Sequence, residues 1–212
     1  LPIKESELPE FLKPYLELIQ KMGHMSAQAT KSPVKSIKIT TEGKVSEYID
    51  SLTTFATVGI LKESLEDSVN YVNAEFVADE RGIKLDKETV ANHSGFENRV
   101  TVKLTTQKKT MTLSGTVFGE NAGRIIEIDG HQLDLEPKGT MILFRNTDVP
   151  GVIGDVGRII AQNGLNIADF RLGRDKNAQA LAVVKVDGVI NKEVIKELSE
   201  LETCLSVCHV TI

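Results

Sequence analysis

Several residue types that mark particular protein classes are scarce in this 212-residue chain. It has no tryptophan and 2 cysteines, and its 25 Lys and Arg are outnumbered by 30 Asp and Glu. Two cysteines are too few for a disulfide framework, and a formal net charge of −5 disfavours a nucleic-acid-binding surface. No apolar run is long enough to cross a membrane, and no signal peptide or lipidation motif is recognisable. We therefore expect a cytoplasmic protein whose partners include neither nucleic acid nor membrane.

The composition is that of a globular protein, with 41% hydrophobic and 26% charged residues. A cluster of breaker residues at Glu136–Gly139 predicts a domain boundary. We expect a linker helix in residues 1–32, a first domain in residues 33–137 and a second in residues 138–212. Because the chain begins at Leu1 rather than at Met, we also expect it to be a piece of a longer protein.

The first domain combines helical and strand patterns. Apolar residues at helical spacing predict helices over Ser46–Lys62 and Leu65–Glu80. Alternating or β-rich stretches predict strands at Val34–Thr41, Ile83–Val90, Arg99–Thr105, Thr110–Phe118, Arg124–Ile128 and His131–Leu135. Asp129-Gly130 joins the last pair as a hairpin. This half is predicted to be a mixed α/β layer with a mostly antiparallel sheet.

The second domain has a shorter and clearer pattern. Strands are predicted at Met141–Phe144, Asn166–Gly173, Ala178–Val186 and Thr203–Thr211, and helices at Gly151–Asn163 and Asn191–Leu201. The order βαββαβ is that of the ferredoxin-like unit. The predicted fold class of the whole chain is therefore α+β.

The turn Asp148–Gly154 carries the candidate chemistry. A helix N-terminus presents unpaired N–H groups that attract an anion such as a carboxylate, and Gly151 and Gly154 allow a ligand to approach the backbone. Asp148, just before the helix, can hold a cation, so the turn has the groups needed for a free amino acid. The alternative is that Asp148 only caps the helix and the glycines only ease packing. The residues alone leave both interpretations open.

Two sets of motifs carry a family resemblance. Asp148–Gly151 after a strand and Gly164–Ile167 after a helix, within a βαββαβ frame, resemble the ACT domain, an amino-acid sensor attached to metabolic enzymes. The upstream half is similar to the intervening domain of long-form D-3-phosphoglycerate dehydrogenases, in the stretches Ser68–Ala74, Glu80–Ile83, Ser114–Gly119 and Arg124–Gly130. The resemblance covers the chain from about Glu10 to its end.

The resemblance implies a regulatory region that binds L-serine, or another small amino acid, and mediates feedback inhibition. The implied effector site consists of Asn146, Asp148, Val152, Ile153, Gly154 and, from a partner subunit, Asn166. Asn146 and Asp148 would meet the hydroxyl and ammonium of serine, and the N–H groups of residues 152–154 would take its carboxylate. Asn146 departs from the bulkier His or Tyr that many family members carry. A homodimer or homotetramer through the ACT domains is expected.

The same resemblance implies a phosphate or anion site in the intervening domain, at Arg124 and Lys138. His131 and Glu136 stand where some members carry arginine. The parent enzymes oxidise D-3-phosphoglycerate with NAD through N-terminal catalytic domains that this sequence lacks. Its Gly151-x-x-Gly154-x-x-Gly157 pattern is not the dinucleotide-binding fingerprint. We expect no catalytic residues, no metal and no NAD binding in this chain.

Two other functions compete with this interpretation. The regulatory tail of an iron–sulfur L-serine dehydratase, or of another ACT-domain enzyme, can use similar domains, although a cluster needs more cysteines than these 2. An RNA-binding ferredoxin-like module needs aromatic residues on its central strands and a basic face. Ala178–Val186 contains no aromatic residue, which disfavours the RNA-binding alternative.

Overall fold

The computed structural model describes residues 8–212, so the beginning of the predicted linker helix lies outside the described residues. The chain divides into two compact units. The first comprises the residues up to Asp129 together with Leu135–Pro137, and the second comprises Gly130–Asp134 and Lys138–Ile212. Each unit is described separately below.

The described part of the first unit, from residue 8 onward, contains three α-helices and most of a mixed sheet. Its elements are α1 (Lys13–Thr30), β1 (Val34–Glu42), α2 (Ile49–Leu65), α3 (Ala74–Glu80), β2 (Lys84–Thr89), β3 (Arg99–Thr106), β4 (Thr110–Phe118) and β5 (Ala122–Ile128), with 3₁₀ turns at Glu10–Leu12, Lys44–Tyr48 and Glu66–Ser68. The last strand of the sheet, β6 (His131–Leu135), has all but its final residue in the second unit. The strand order is β2-β1-β3-β4-β5-β6. Strands β1 and β2 are parallel, whereas the pairs β1–β3, β3–β4 and β4–β5 are antiparallel. The predicted mostly antiparallel sheet is confirmed.

Helix α1 is the central element of this unit's core. Leu16, Ile19, Met22 and Met25 recur at helical spacing, and each is at most 3% exposed. The helix packs on α2 and on strands β3, β4 and β5. The apolar face of α1 is therefore buried within the first unit.

The predicted long helix Leu65–Glu80 is wrong in its first half. A 3₁₀ turn at Glu66–Ser68 and a loop precede α3. In the loop, the Asn70 side chain accepts the N–H groups of Val72 and Asn73, at 2.9 and 3.1 Å. Asparagine side chains that bond to nearby backbone stabilise turns at the expense of helix. Apolar spacing alone did not reveal this competition.

The buried side of α3 also differs from the prediction. The helix buries Ala74 and Ala78, both 0% exposed, whereas Phe76 is 64% exposed. Val72, whose spacing from Phe76 would place both side chains on one face of the predicted helix, lies in the preceding loop and is 84% exposed. The small alanines face the unit, so the largest apolar residues of this stretch were assigned to the wrong side.

The second unit is the predicted ferredoxin-like fold. Its elements are β7 (Thr140–Thr147), α4 (Val152–Gln162), β8 (Asn166–Arg174), β9 (Gln179–Asp187), α5 (Lys192–Ser199) and β10 (Cys204–Thr211). The strands are antiparallel in the order β10-β7-β9-β8, with β8 at one edge. Both helices pack against a core that includes Phe144, Val156, Val184 and Leu198. The α+β class and the βαββαβ order are confirmed.

The ends of the two helices follow from local residue chemistry. Helix α4 begins one residue later than predicted, because Gly151 occupies the N-cap position with φ of 95°, a conformation that glycine adopts without strain. Gly164, with φ of 72°, follows its C-terminus as predicted. The Asn191 side chain caps α5 by accepting the N–H of Val194 at 3.0 Å. No helix within residues 8–212 is both long and apolar enough to cross a membrane.

Candidate functional site

A cleft of about 370 Å³ opens in the second unit between the first turn of α4 and the helix-facing side of β7, β9 and β8. Strand pairing explains its floor. Asn146 and Arg174 both pair with Ala180, and the next row towards the core is centred on Ala182. Paired residues of neighbouring strands project to the same face. Ala180 and Ala182 are smaller than Val184, which lies further along β9, so the sheet leaves space at this end.

The wall opposite the sheet is the N-terminus of α4. The first hydrogen bond of the helix runs from the N–H of Asp155 to the carbonyl of Gly151, at 3.0 Å. The N–H groups of Val152, Ile153 and Gly154 precede that bond and have no partner inside the helix. All three residues line the cleft. This wall therefore attracts an anion such as a carboxylate.

Asp148 lies at the mouth of the cleft and does not cap the helix. The N-cap is Gly151, without a side-chain cap bond, so the capping interpretation is wrong. The Asp148 carboxylate instead accepts a hydrogen bond from Nε of Arg174, with Nε and Oδ2 2.5 Å apart. The Asp148 side chain is 22% exposed and that of Arg174 is 69% exposed. The cleft thus contains a partly covered carboxylate beside a helix N-terminus.

The two asparagines of the predicted site lie far apart within the chain. Asn146 is 3% exposed and lines the cleft, with its Nδ2 3.5 Å from the carbonyl oxygen of Phe144. Asn166 pairs with Asp187 at the opposite end of β8, and its Nδ2 donates to the Asp187 carboxylate at 2.9 Å. One copy of the chain therefore brings together every predicted effector residue except Asn166.

The turn after Arg174 is fixed by a carboxylate. Asp175 Oδ1 accepts the N–H groups of Asn177 and Gln179, at 2.8 and 2.9 Å. These bonds, chiefly the one from Gln179, hold the pKa of the Asp175 carboxyl below its usual value. Asp175 is therefore ionised at neutral pH, and the hydrogen-bonded turn holds the backbone of Arg174 beside the cleft.

Comparison with known proteins covers both units. The family described as "D-3-phosphoglycerate dehydrogenase intervening domain" matches residues 11–129, and the ACT domain family matches residues 140–203. The chain belongs to the D-3-phosphoglycerate dehydrogenase family. The resemblance to the regulatory region of these proteins, an intervening domain followed by an ACT domain, is confirmed.

Curated D-3-phosphoglycerate dehydrogenases match along most of the chain. The Bacillus subtilis protein is 35% identical over 198 residues, covering 92% of this chain and 38% of that protein. The Archaeoglobus fulgidus protein is 32% identical over 214 residues, covering 99% of this chain and 40% of that protein. The Synechocystis protein is 26% identical, covering 95% and 37%. This D-3-phosphoglycerate dehydrogenase regulatory region thus spans about two fifths of the length of these relatives.

The phosphate site expected in D-3-phosphoglycerate dehydrogenase intervening domains stays a prediction. Arg124 lies on β5 in the first unit, half-buried, and its Nη1 donates to the carbonyl of Gly123 at 3.2 Å. Lys138 is exposed at the start of the second unit. Among residues 8–212, no group of three or more His, Cys, Asp and Glu side chains is arranged to hold a metal.

Arg174 is a charged cleft residue that the sequence analysis does not identify, because the predicted strand ends at Gly173. It is instead the last residue of β8, and its side chain reaches Asp148 from 26 positions away in the sequence. The signal that can reveal it is hairpin register: once Asn146 and Arg174 are both paired with Ala180, they lie in one row on one face.

Proposed function

We propose that this chain is the L-serine-sensing regulatory region of an NAD-dependent D-3-phosphoglycerate dehydrogenase of L-serine biosynthesis. The observation that carries the proposal is the convergence of a helix N-terminus, the Asp148 carboxylate and the Asn146 amide on one cleft. A free amino acid is a zwitterion, and these groups offer one partner to each of its charges. The catalytic domains and NAD belong to the rest of the parent protein, which acts in the cytoplasm.

Each group has a defined role in binding serine. The N–H groups of Val152, Ile153 and Gly154 receive the α-carboxylate, where the helix dipole favours negative charge. Asp148 receives the ammonium through a charge-assisted hydrogen bond. The amide of Asn146, at the back of the cleft, bonds the side-chain hydroxyl. A neutral, short amino acid fits these three contacts without burying an unpaired charge.

The site is completed by a second copy of the chain. Strand β8 lies at the edge of its sheet, where unpaired backbone groups favour pairing with another strand. Antiparallel pairing of two β8 strands across a two-fold axis places the Asn166 end of one copy beside the Arg174 end of the other. Arg174 borders the cleft, so the partner's Asn166 reaches the bound amino acid. A homodimer, or a homotetramer built from such dimers, follows.

Inhibition then operates as a coupling between sites. Serine held by two ACT domains favours the arrangement of subunits in which both contacts are made. The intervening domain transmits that bias to the catalytic domains. By linkage, the catalytic arrangement favoured by substrate must alter serine affinity by the same factor.

Calorimetric titration with L-serine, glycine, D-serine and L-threonine tests the proposal. We expect saturable binding of L-serine, with weaker binding of glycine, which lacks the hydroxyl for Asn146, and of D-serine, whose groups cannot all reach their partners at once. Equal binding of all four compounds, or binding of none by the folded oligomer, would contradict an L-serine site.

A mixing experiment tests the shared site. Asp148→Asn and Asn166→Ala each damage every site in their own homodimers. In a mixed dimer, one site receives intact Asp148 from one copy and intact Asn166 from the other. Mixing the two variants should therefore restore L-serine binding to about half of the sites in each mixed dimer. Titration after subunit exchange checks this, and no recovery in a proven heterodimer rules out a site shared between copies.

A further inference from the structure

We propose that Arg174 is a built-in competitor for the effector: its guanidinium holds Asp148 in the free protein and must be displaced by the ammonium of the incoming amino acid. This inference rests on the proposed function of the cleft. It assigns a regulatory role to a residue that the three contacts with serine do not use.

The geometry places the guanidinium where the ammonium must bind. Nε of Arg174 lies 2.5 Å from Oδ2 of Asp148, and both residues line the cleft. Asp148 is 22% exposed, so most of its surface is already covered by the protein. The Arg174 guanidinium thus occupies Oδ2 of the one cleft carboxylate that the ammonium is proposed to use.

Joint occupancy is disfavoured by charge. A guanidinium and an ammonium bound to one carboxylate bring two positive charges close together, and the effector's own carboxylate is already held by the N-terminus of α4. Asp148 balances one of the two cations, not both. The Arg174–Asp148 pair therefore opens when the effector binds.

The pair is suited to displacement because it is weak. The Arg174 side chain is 69% exposed, and exposed ion pairs lose most of their strength to solvent and to side-chain entropy. Within residues 8–212, its side chain is held by a single hydrogen bond, from Nε to Asp148. The ammonium of the amino acid is covalently linked to the α-carboxylate, which the N-terminus of α4 holds at the same time. This second contact gives the ammonium an advantage over Arg174 in the competition for Asp148.

The exchange predicts the effect of Arg174→Gln. Removing the competitor should tighten L-serine binding about threefold, the scale of an exposed ion pair. In the protein without the substitution, the ammonium–Asp148 pair replaces the Arg174–Asp148 pair, so the dissociation constant for L-serine should change little between about 50 and about 500 mM NaCl. In the variant, binding forms a new ion pair without breaking one, so added salt should weaken it. Titrations at both salt concentrations measure each quantity.

Arg158→Gln is the matched control. Arg158 lies on α4, outside the proposed β8 interface; its side chain is 56% exposed, and its Nη2 lies 3.5 Å from the carboxylate of Asp155 rather than bonding to Asp148. It does not line the cleft. The control should leave both affinity and salt dependence unchanged, which separates displacement of Arg174 from a general effect of lost positive charge.

Nitrogen-15 NMR of the Arg174 Nε group gives the direct readout. We expect a signal typical of an ion-paired side chain in the free protein and a solvent-like, more mobile signal on saturation with L-serine. If serine binds and the Nε signal stays ion-paired, or if Arg174→Gln weakens binding, Arg174 is a ligand and the competitor role is overturned, while the serine site stands. If neither the parent nor Arg174→Gln binds any amino acid, the proposed function fails and the inference fails with it.

Discussion

Asp148→Asn is expected to weaken L-serine binding about 30-fold or more. The substitution keeps the size and shape of the side chain but removes the charge that balances the ammonium. The ammonium would then enter a partly covered cleft without an acidic side chain to accept it, since the effector's own carboxylate is held by the N-terminus of α4. Removing one partner of such a charge pair costs about 2–5 kcal/mol, and each 1.4 kcal/mol is about tenfold in affinity. Calorimetric titration of the oligomer measures the loss.

Asp155→Asn provides the matched control for this change. Asp155 lies in the first turn of the same helix, is exposed, and its carboxylate is 3.5 Å from Nη2 of Arg158. Its replacement removes an equal charge near the same N–H groups and should alter affinity by no more than about twofold, through the helix dipole alone. If Asp148→Asn retains full affinity while folded, the ammonium binds elsewhere.

The fold of the second unit could be predicted from sequence because its local signals agree with each other. Val156, Ile159 and Ile160 repeat at helical spacing and are buried as expected, and Gly151 and Gly164 stand at the two ends of α4 where positive φ is required. In the first unit the signals conflict. The apolar spacing continues through Leu65–Glu80, while Asn70 and Asn73 form a turn inside it. The apolar spacing does not indicate whether the helix or the asparagine turn is the more stable structure in this segment.

The residues of the candidate site also differ in how well the sequence predicts them. Asp148 and the first turn of α4 are neighbours in sequence, so one stretch of chain specifies an anion site and a carboxylate together. Arg174 joins them only through the register of two strand pairs, which the sequence does not determine by itself. Asn166 lies at the other end of its strand and reaches a cleft only in a second copy. Site residues are thus predictable to the extent that their proximity is local.

Gly59→Ala is expected to destabilise the first unit by about 3 kcal/mol. A Cβ at Gly59 would lie 2.1 Å from the carbonyl oxygen of Gln20, and one at Gly23 would lie 2.6 Å from that of Ala56. The two glycines allow α1 and α2 to approach with backbone against backbone, and a methyl group must push the helices apart. Denaturant unfolding measures the loss of stability.

Gly157→Ala is the comparison that isolates this steric effect. Gly157 is also inside a helix, but nothing lies within 4 Å of the position that its Cβ would take. The same chemical change there should stabilise the protein by about 1 kcal/mol, because alanine is the better helix former. Since the cleft belongs to the second unit, Gly59→Ala should lower the unfolding midpoint while folded protein still binds L-serine. Equal midpoints for the two glycine variants would mean that the helices of the first unit do not cross at Gly59, whereas loss of binding by folded Gly59→Ala would mean that the cleft depends on that crossing.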